Sequence, residues 1–367
     1  MKFVSIVGGR PQFIKASVIS KELRKTHTEI LVHTGQHYDY NMSELFFKEL
    51  EIPEPDYNLG ISRGSHAQMT GRMMIAIEEV LLKESPDWLL VYGDMNSTLA
   101  AALAGAKLHI PICHVESGAR TKSMNNPEEI NRICTDHVST LCLACVESAY
   151  RELVREGLES RSVVVGDPMY DAFLKHHDVI EKNDVGLVLL SGGTVKVPEK
   201  YYYMTCHREE NTNDYAITEI LKAMESLGEG FLTVYPVHPR NKDRILKLQE
   251  RQRYQRVIFV EPVGYLESLC LLTNAEGVVT DSGGLQREAF FAEKQCVTIF
   301  DYVIHPETMM GNRNQLAKPN AEEIIRKLSV SQNVNKKYTP FGNGDSGCRI
   351  VKEIEKATSE NCYKLLE

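Results

Sequence analysis

Trp88-Leu89-Leu90-Val91-Tyr92-Gly93-Asp94-Met95-Asn96-Ser97-Thr98 decides the fold. The short apolar run Trp88–Tyr92 reads as a strand, Gly93 turns the chain, and Leu99–Leu108 continues with helical periodicity. The same unit recurs on both sides. Phe3–Val7, Glu29–His33, Ile110–Val115, Leu141–Ala144 and Ser162–Val165 read as strands, with Ile14–Leu23 and Ala67–Lys83 among the helices between them. Repeated strand-helix alternation predicts a parallel sheet with helices on both faces.

After Gly166-Asp167-Pro168 the pattern pauses. His176–Lys200 reads as a connector, broken by Ser191-Gly192-Gly193 and Pro198. The alternation restarts at Tyr201–Thr205 and continues through Phe231–Val237, Val257–Val260, Gly277–Thr280 and Cys296–Ile299, with Ala216–Leu227 helical. Two domains of one architecture are expected, 1–168 and 169–349. Gly347–Leu365 reads as a last helix, and about 350–367 is expected to fold back on the first domain. Two such units create a cleft at the carboxyl ends of their strands, where open α/β sheets take ligands.

At 367 residues two domains are the natural expectation. A net charge of −8 argues against nucleic acid or an anionic membrane surface as partner. No run of about 18 apolar residues exists, so no membrane span is expected, and the apolar run at the N-terminus is too short for a signal peptide. The nine cysteines lie scattered in apolar stretches, as buried thiols of a reducing, cytoplasmic setting would. Cys142-x-x-Cys145 lacks a second ligand pair and reads as core. His33 and His37, four apart at a strand end, have no evident third ligand, so no metal is expected.

Several motifs end strands. Gly8-Gly9-Arg10 precedes a helix; the glycines let the backbone turn tightly against a ligand and Arg10 suits a phosphate. An ordinary strand-to-helix turn reads equally well there. Thr280-Asp281-Ser282-Gly283-Gly284 opens another helix, with Ser282, Gly283 and Gly284 offering a hydroxyl and backbone N–H groups to an anion and Glu288 an acceptor for a ribose diol. The plainer reading is that Asp281 and Ser282 cap the helix. Asp94 and Glu116 end successive strands, and Glu128 follows Pro127 at a helix start, beside Glu129 and Arg132. Carboxylates near a phosphate ligand suit general acid/base work. His207 and Arg208 follow one strand of the second half, and His238 the next.

Taken in order, these motifs resemble the non-hydrolysing UDP-N-acetylglucosamine 2-epimerase family. The resemblance runs through G-G-R-P-Q-F-I-K, H-T-G-Q-H-Y, V-Y-G-D-M-N-S-T-L, H-V-E-S-G-A-R, N-P-E-E-I-N-R, H-R-E-E-N, V-H-P-R, E-P-V-G-Y, T-D-S-G-G-L-Q-R-E-A and F-G-N-G-D-S-G. It implies a GT-B-like fold, two Rossmann-like domains around a central cleft, a homodimer, and neither metal nor nicotinamide. It also implies interconversion of UDP-GlcNAc and UDP-ManNAc by anti elimination of UDP to 2-acetamidoglucal and re-addition. Carried over by position, Asp94, Glu116, Glu128 and His207 are its catalytic residues. Arg10, Lys15, Gln36, His37, Arg132, Arg208, His238, Ser282, Gly283, Gly284 and Glu288 are its substrate contacts.

Departures concern the sugar. Gln12 stands where the family usually has Glu, and Val303-Ile304-His305-Pro306-Glu307 replaces T-E-R-P-E, placing His305 where an arginine is usual. Those changes keep open a modified UDP-HexNAc such as UDP-2,3-diacetamido-glucuronic acid. A hydrolysing epimerase that releases ManNAc is a second alternative, and a GT-B glycosyltransferase a more distant one.

Overall fold

A computed structural model of the chain describes residues 1–36, 40–228, 230–252 and 254–360. The chain divides into two compact units, Met1–Leu174 together with the return segment from Thr339, and Lys175–Tyr338.

The first unit carries seven parallel strands: β1 (Lys2–Val7), β2 (Thr28–His33), β3 (Tyr57–Asn58), β4 (Trp88–Tyr92), β5 (Ile112–Val115), β6 (Leu141–Ala144) and β7 (Ser162–Val164). Their order is β3-β2-β1-β4-β5-β6-β7. β1 and β4 lie side by side, with Phe3 opposite Trp88 and Ser5 opposite Leu90. The reversal of order there carries the connecting helices to opposite faces. All five residues of β4 are buried, as a central parallel strand requires. The helix Asn96–Lys107 that follows meets the sheet through small side chains. Ala100, Ala101 and Ala102 are wholly buried, and a Cβ at Gly105 would sit 2.5 Å from the Leu89 side chain.

The second unit repeats the plan. After a short antiparallel hairpin, β8 (Gly186–Val188) and β9 (Thr194–Lys196), come β10 (Tyr201–Met204), β11 (Leu232–Pro236), β12 (Val257–Val260), β13 (Gly277–Thr280), β14 (Gln295–Thr298) and β15 (Asn314–Leu316). The parallel order is β12-β11-β10-β13-β14-β15, so its reversal lies between β10 and β13. Each unit is thus Rossmann-like.

The structure adds elements to the sequence reading. The stretch read as a bare connector holds the hairpin, and β3 and β15 edge the two sheets. The last helix is Ser346–Ser359, in the first unit. The Gly347 N–H donates to Asp171 at 3.1 Å, and a Cβ at Gly347 would meet Val18 at 2.8 Å.

Candidate active site

Most sequence-selected residues fall at the two strand-order reversals. In the first unit, the loop after β1 begins at Gly8, which is tightly enclosed by neighbouring loops. A Cβ there would lie 2.5 Å from Thr34 Oγ1 and 2.7 Å from Ser97 Oγ. The glycine therefore lets three loops approach one another. Gln12 ties the same loops: its Oε1 accepts from Gly8 N at 2.6 Å and its Nε2 donates to Tyr92 O at 2.7 Å and Thr98 Oγ1 at 2.8 Å. A buried amide serves this role because it donates and accepts at once. Arg10 opens the helix Arg10–Leu23 with its guanidinium 4.4 Å from the Phe46 ring centre. Gln36 Oε1 accepts from Ser97 N at 3.1 Å, while His37 lies outside the described residues.

The carboxylates differ in their surroundings. Asp94, 30% exposed at its side chain, pairs with Arg132, and its backbone carbonyl accepts from Asn131 at 2.8 Å. Glu116 pairs with Lys15. Lys15 and Arg132, expected as substrate contacts, are almost wholly buried and serve as the cations of these pairs. Arg132 also holds Glu129 at 2.8 Å. Glu129 accepts from the backbone of Thr121 and Lys122, both at 2.8 Å. Burial alone would raise the Glu129 carboxyl, but those donors and Arg132 hold it below its ordinary value. Its neighbour Glu128 is half-buried in the first turn of the helix Pro127–Val138. Among the described residues the Glu128 side chain has no hydrogen bond or ion pair. Of two adjacent glutamates, one is built into the scaffold and the other is not.

In the second unit β10 delivers His207 and Arg208, and β13 delivers Asp281 beside them. The sequence reading saw Asp281 only as a helix cap. In the structure the cap is Ser282, whose Oγ accepts from Leu285 N at 3.3 Å and keeps its own proton to donate. Asp281 is wholly buried and turned toward β10. It accepts from His207 Nδ1 at 2.9 Å, from His207 N at 2.9 Å and from Arg208 N at 2.8 Å. Burial would raise this carboxyl, but the facing His207 ring and the two backbone N–H groups hold it well below the usual carboxylate range. With Nδ1 so engaged, the His207 ring is fixed and Nε2 is the nitrogen not turned to Asp281. The ring stacks on His238 at 5.9 Å. Arg208 donates from Nε to Asp281 O at 2.9 Å, bonds the Tyr302 hydroxyl and lies 4.5 Å over the Phe300 ring. Gly283 and Gly284 form the first turn of the helix Gly283–Phe291, with Glu288 buried further along it. A Cβ at Gly283 would lie 3.7 Å from His305 Nε2, so His305 sits against that helix start.

Two other histidine and cysteine readings resolve simply. His33 is buried between Phe13 and Phe47, at 5.3 and 6.0 Å, and burial lowers its pKa to about 4. Cys142 and Cys145 are buried cysteines outside any disulfide.

A family model described as UDP-N-acetylglucosamine 2-epimerase matches residues 21–355. A UDP-N-acetylglucosamine 2-epimerase homolog of Methanococcus maripaludis is 43% identical over 96% of this chain and 99% of its own. UDP-2,3-diacetamido-2,3-dideoxy-D-glucuronate 2-epimerase of Pseudomonas aeruginosa is 42% identical over 97% of this chain and 100% of its own. The crystal structure of Methanocaldococcus jannaschii UDP-GlcNAc 2-epimerase in complex with UDP-GlcNAc and UDP superposes with a TM-score of 0.87 at 39% identity. That match covers 97% of this chain and 100% of the other. The fold is of the same GT-B-like class.

Proposed function

The chain belongs to the UDP-N-acetylglucosamine 2-epimerase family, and from that premise we propose that it is an isomerase interconverting UDP-GlcNAc and UDP-ManNAc. The observation that carries the reading is the pairing of the family match with a cluster at the first strand-order reversal: Asp94 and Glu116, each beside a cation, and an uncommitted Glu128.

Elimination breaks the C-1–O bond to UDP and removes the C-2 proton, leaving 2-acetamidoglucal; re-addition returns UDP to C-1 on the face it left and delivers a proton to the opposite face of C-2. The C-2 proton is weakly acidic, so C–O cleavage leads and positive charge grows on the sugar ring. Carboxylates then serve as base or acid at C-2 and as counter-charges to that cation. In this scheme Asp94, Glu116 and Glu128 attend the sugar. His207 offers Nε2 to the departing phosphate, with Asp281 stabilising the ring as it gains charge. Arg10, Arg208, His238, Ser282 and the N–H groups of Gly283 and Gly284 hold the diphosphate, and Glu288 takes the ribose diol. Gln36 and His37 belong to the substrate contacts in the same reading. No metal or redox cofactor enters this scheme.

A modified sugar is a second reading, favoured by one observation. The diacetamido-glucuronate epimerase is as similar to this chain as the UDP-GlcNAc relatives are. His305 against the start of the helix Gly283–Phe291 is the residue through which the two readings would differ.

The same proposal includes a homodimer in the cytoplasm. Ile75 and Leu82, seven residues apart on the helix His66–Glu84, are 60% and 62% exposed and supply an apolar stripe for a second copy. Buried free cysteines suit a reducing compartment, and among the described residues no helix is long and apolar enough to cross a membrane.

Proton NMR of UDP-GlcNAc with the enzyme in D2O tests the reading. Deuterium at C-2 together with UDP-ManNAc is expected; free ManNAc would mark a hydrolase instead, and an unexchanged C-2 would sink both. The same experiment with UDP-2,3-diacetamido-glucuronic acid decides the sugar, and light scattering reads the dimer.

A further inference from the structure

Between the turns that carry Asp94 and Glu116 lies a buried ring that the proposed chemistry does not use. His114, on β5, is wholly buried. Its Nδ1 is 2.6 Å from Asp136 Oδ1 and its Nε2 is 2.7 Å from the Gly93 carbonyl oxygen. A carboxylate and a carbonyl only accept, so both ring nitrogens donate. Asp136, also wholly buried, accepts in addition from Gly118 N at 3.1 Å and Arg120 Nη2 at 2.6 Å. Burial would raise the Asp136 carboxyl, but His114 and Arg120 hold it below its ordinary value. Arg120 in turn grips Glu156 with two bonds, at 2.7 and 2.8 Å.

These bonds join two particular turns. Gly93 is held on both sides: its N–H donates to Val115 O at 2.9 Å and its carbonyl accepts from His114. Asp94 is the next residue. Glu116 has φ +68°, the left-handed region, which costs a non-glycine residue about 1–2 kcal/mol. Such a conformation persists where its surroundings over-determine it. Here the N–H groups of Glu116 and Ser117 both reach Leu143 O, at 3.0 and 3.1 Å, and that of Gly118 reaches Asp136. Buried charge clusters add little net stability over apolar side chains of like size. What this one supplies is a fixed distance.

We infer that His114, clamped between Asp136 and the Gly93 carbonyl, is a positioning residue that sets Asp94 and Glu116 relative to one another, with Arg120 and Glu156 as its outer support. The inference rests on the epimerase reading above. It assigns Gly93 a mechanical part as well, since the bond to its carbonyl steers the side chain one residue on.

The wild-type enzyme labelled with 15N-histidine tests the clamp directly. Two exchange-protected ring N–H resonances are expected from His114, identified by their loss in His114→Asn; a single one would overturn the double-donor geometry. Kinetics test the positioning. In His114→Asn the amide nitrogen takes the place of Nδ1, keeping Asp136 and losing Gly93; in His114→Gln it takes the place of Nε2, keeping Gly93. Misplacement of reacting groups by an ångström costs on the order of 100-fold, so kcat should fall roughly 100-fold in His114→Asn and less than about 10-fold in His114→Gln. Affinity for UDP alone should stay unchanged in both. Equal losses, or losses that follow thermal stability, would overturn the proposal. Should neither variant fold, Glu156→Gln at the outer end is expected to lower kcat about threefold with UDP affinity kept, and an unchanged kcat would overturn it. Wild-type C-2 exchange, run alongside, separates failure of the epimerase reading from failure of the clamp.

Discussion

Replacing Asp281 by asparagine exchanges one buried carboxylate oxygen for an NH2 group of nearly the same size. Both oxygens are engaged by donors: Oδ1 faces His207 Nδ1 and Oδ2 faces the backbone N–H groups of His207 and Arg208. Turned toward the backbone, the amide NH2 would meet two N–H donors; turned toward His207, it forces the ring into the tautomer in which Nδ1 accepts. The second arrangement keeps all three bonds, but each loses its charge assistance, about 1 kcal/mol apiece. Asp281→Asn should therefore destabilise the second unit by roughly 2–3 kcal/mol, or about 4–12 °C in Tm for a unit of this size. The effect has a pH signature. The Asp281 carboxyl is depressed in the folded state. Its stabilisation is thus fully present above the unfolded carboxylate range near pH 4 and is lost as pH falls toward the folded value. The gap between wild type and variant should be widest at neutral pH and narrow progressively as pH falls below about 4. Turnover should fall by about 100-fold or more, because the His207 ring loses the partner that sets its tautomer. Urea denaturation followed by circular dichroism, with hydrogen exchange along β10 and β13, reads the first quantity; initial rates read the second. A variant within 1 °C of wild type at pH 7, or one with wild-type turnover, would refute the assignment of Asp281 as the organising acceptor.

Glu128→Gln should fold with wild-type stability, within about 0.5 kcal/mol, and lose most C-2 exchange, whereas Glu129→Gln should cost about 2–4 kcal/mol by weakening two backbone bonds and the Arg132 pair; denaturation and deuterium incorporation measured on both variants distinguish them. Gly118 has φ +82°, and an added Cβ would strike the Ala149 carbonyl, so Gly118→Ala should lose about 2–5 kcal/mol in a urea titration, the left-handed and overpacking costs together. His33 is pushed down to about 4 by burial; the unfolded chain then binds a proton first as pH falls, and stability drops by about 2–3 kcal/mol between pH 7 and pH 4.5. His33→Phe should flatten that limb in denaturant midpoints taken across the range, and an unaltered slope would mean the ring is not kept neutral.

Most of the fold was legible because each interior strand is a short apolar run followed by a glycine or a polar turn, as at Trp88–Tyr92 and Gly93. Tyr57–Asn58 and Asn314–Leu316 escaped because edge strands of two or three residues leave no apolar run to see. Strand order was not legible either: nothing in one chain of residues says that β1 lies beside β4, yet that neighbourhood brings Gly8, Gln12 and Tyr92 together. The acids at strand ends were found as types, but their roles depended on partners. Asp281 reads as a cap until β10 is placed beside β13. Glu128 and Glu129 are indistinguishable until Thr121 and Lys122 are seen to donate to one of them.

Trp88 is the chain's one tryptophan. It opens β4 at the end opposite Asp94, is 1% exposed, and donates from Nε1 to Thr358 Oγ1 of the terminal helix at 2.9 Å. The indole therefore reports on a clasp between the start of a central strand and the last helix of the chain. Its emission follows the first unit alone, since the aromatic residues of the second are tyrosine, phenylalanine and histidine. Comparing that fluorescence with the ellipticity of the whole molecule separates the melting of the two units without labels. A chain cut before Thr358 should shift the emission toward the red while the loops after β1 and β4 keep their bonds.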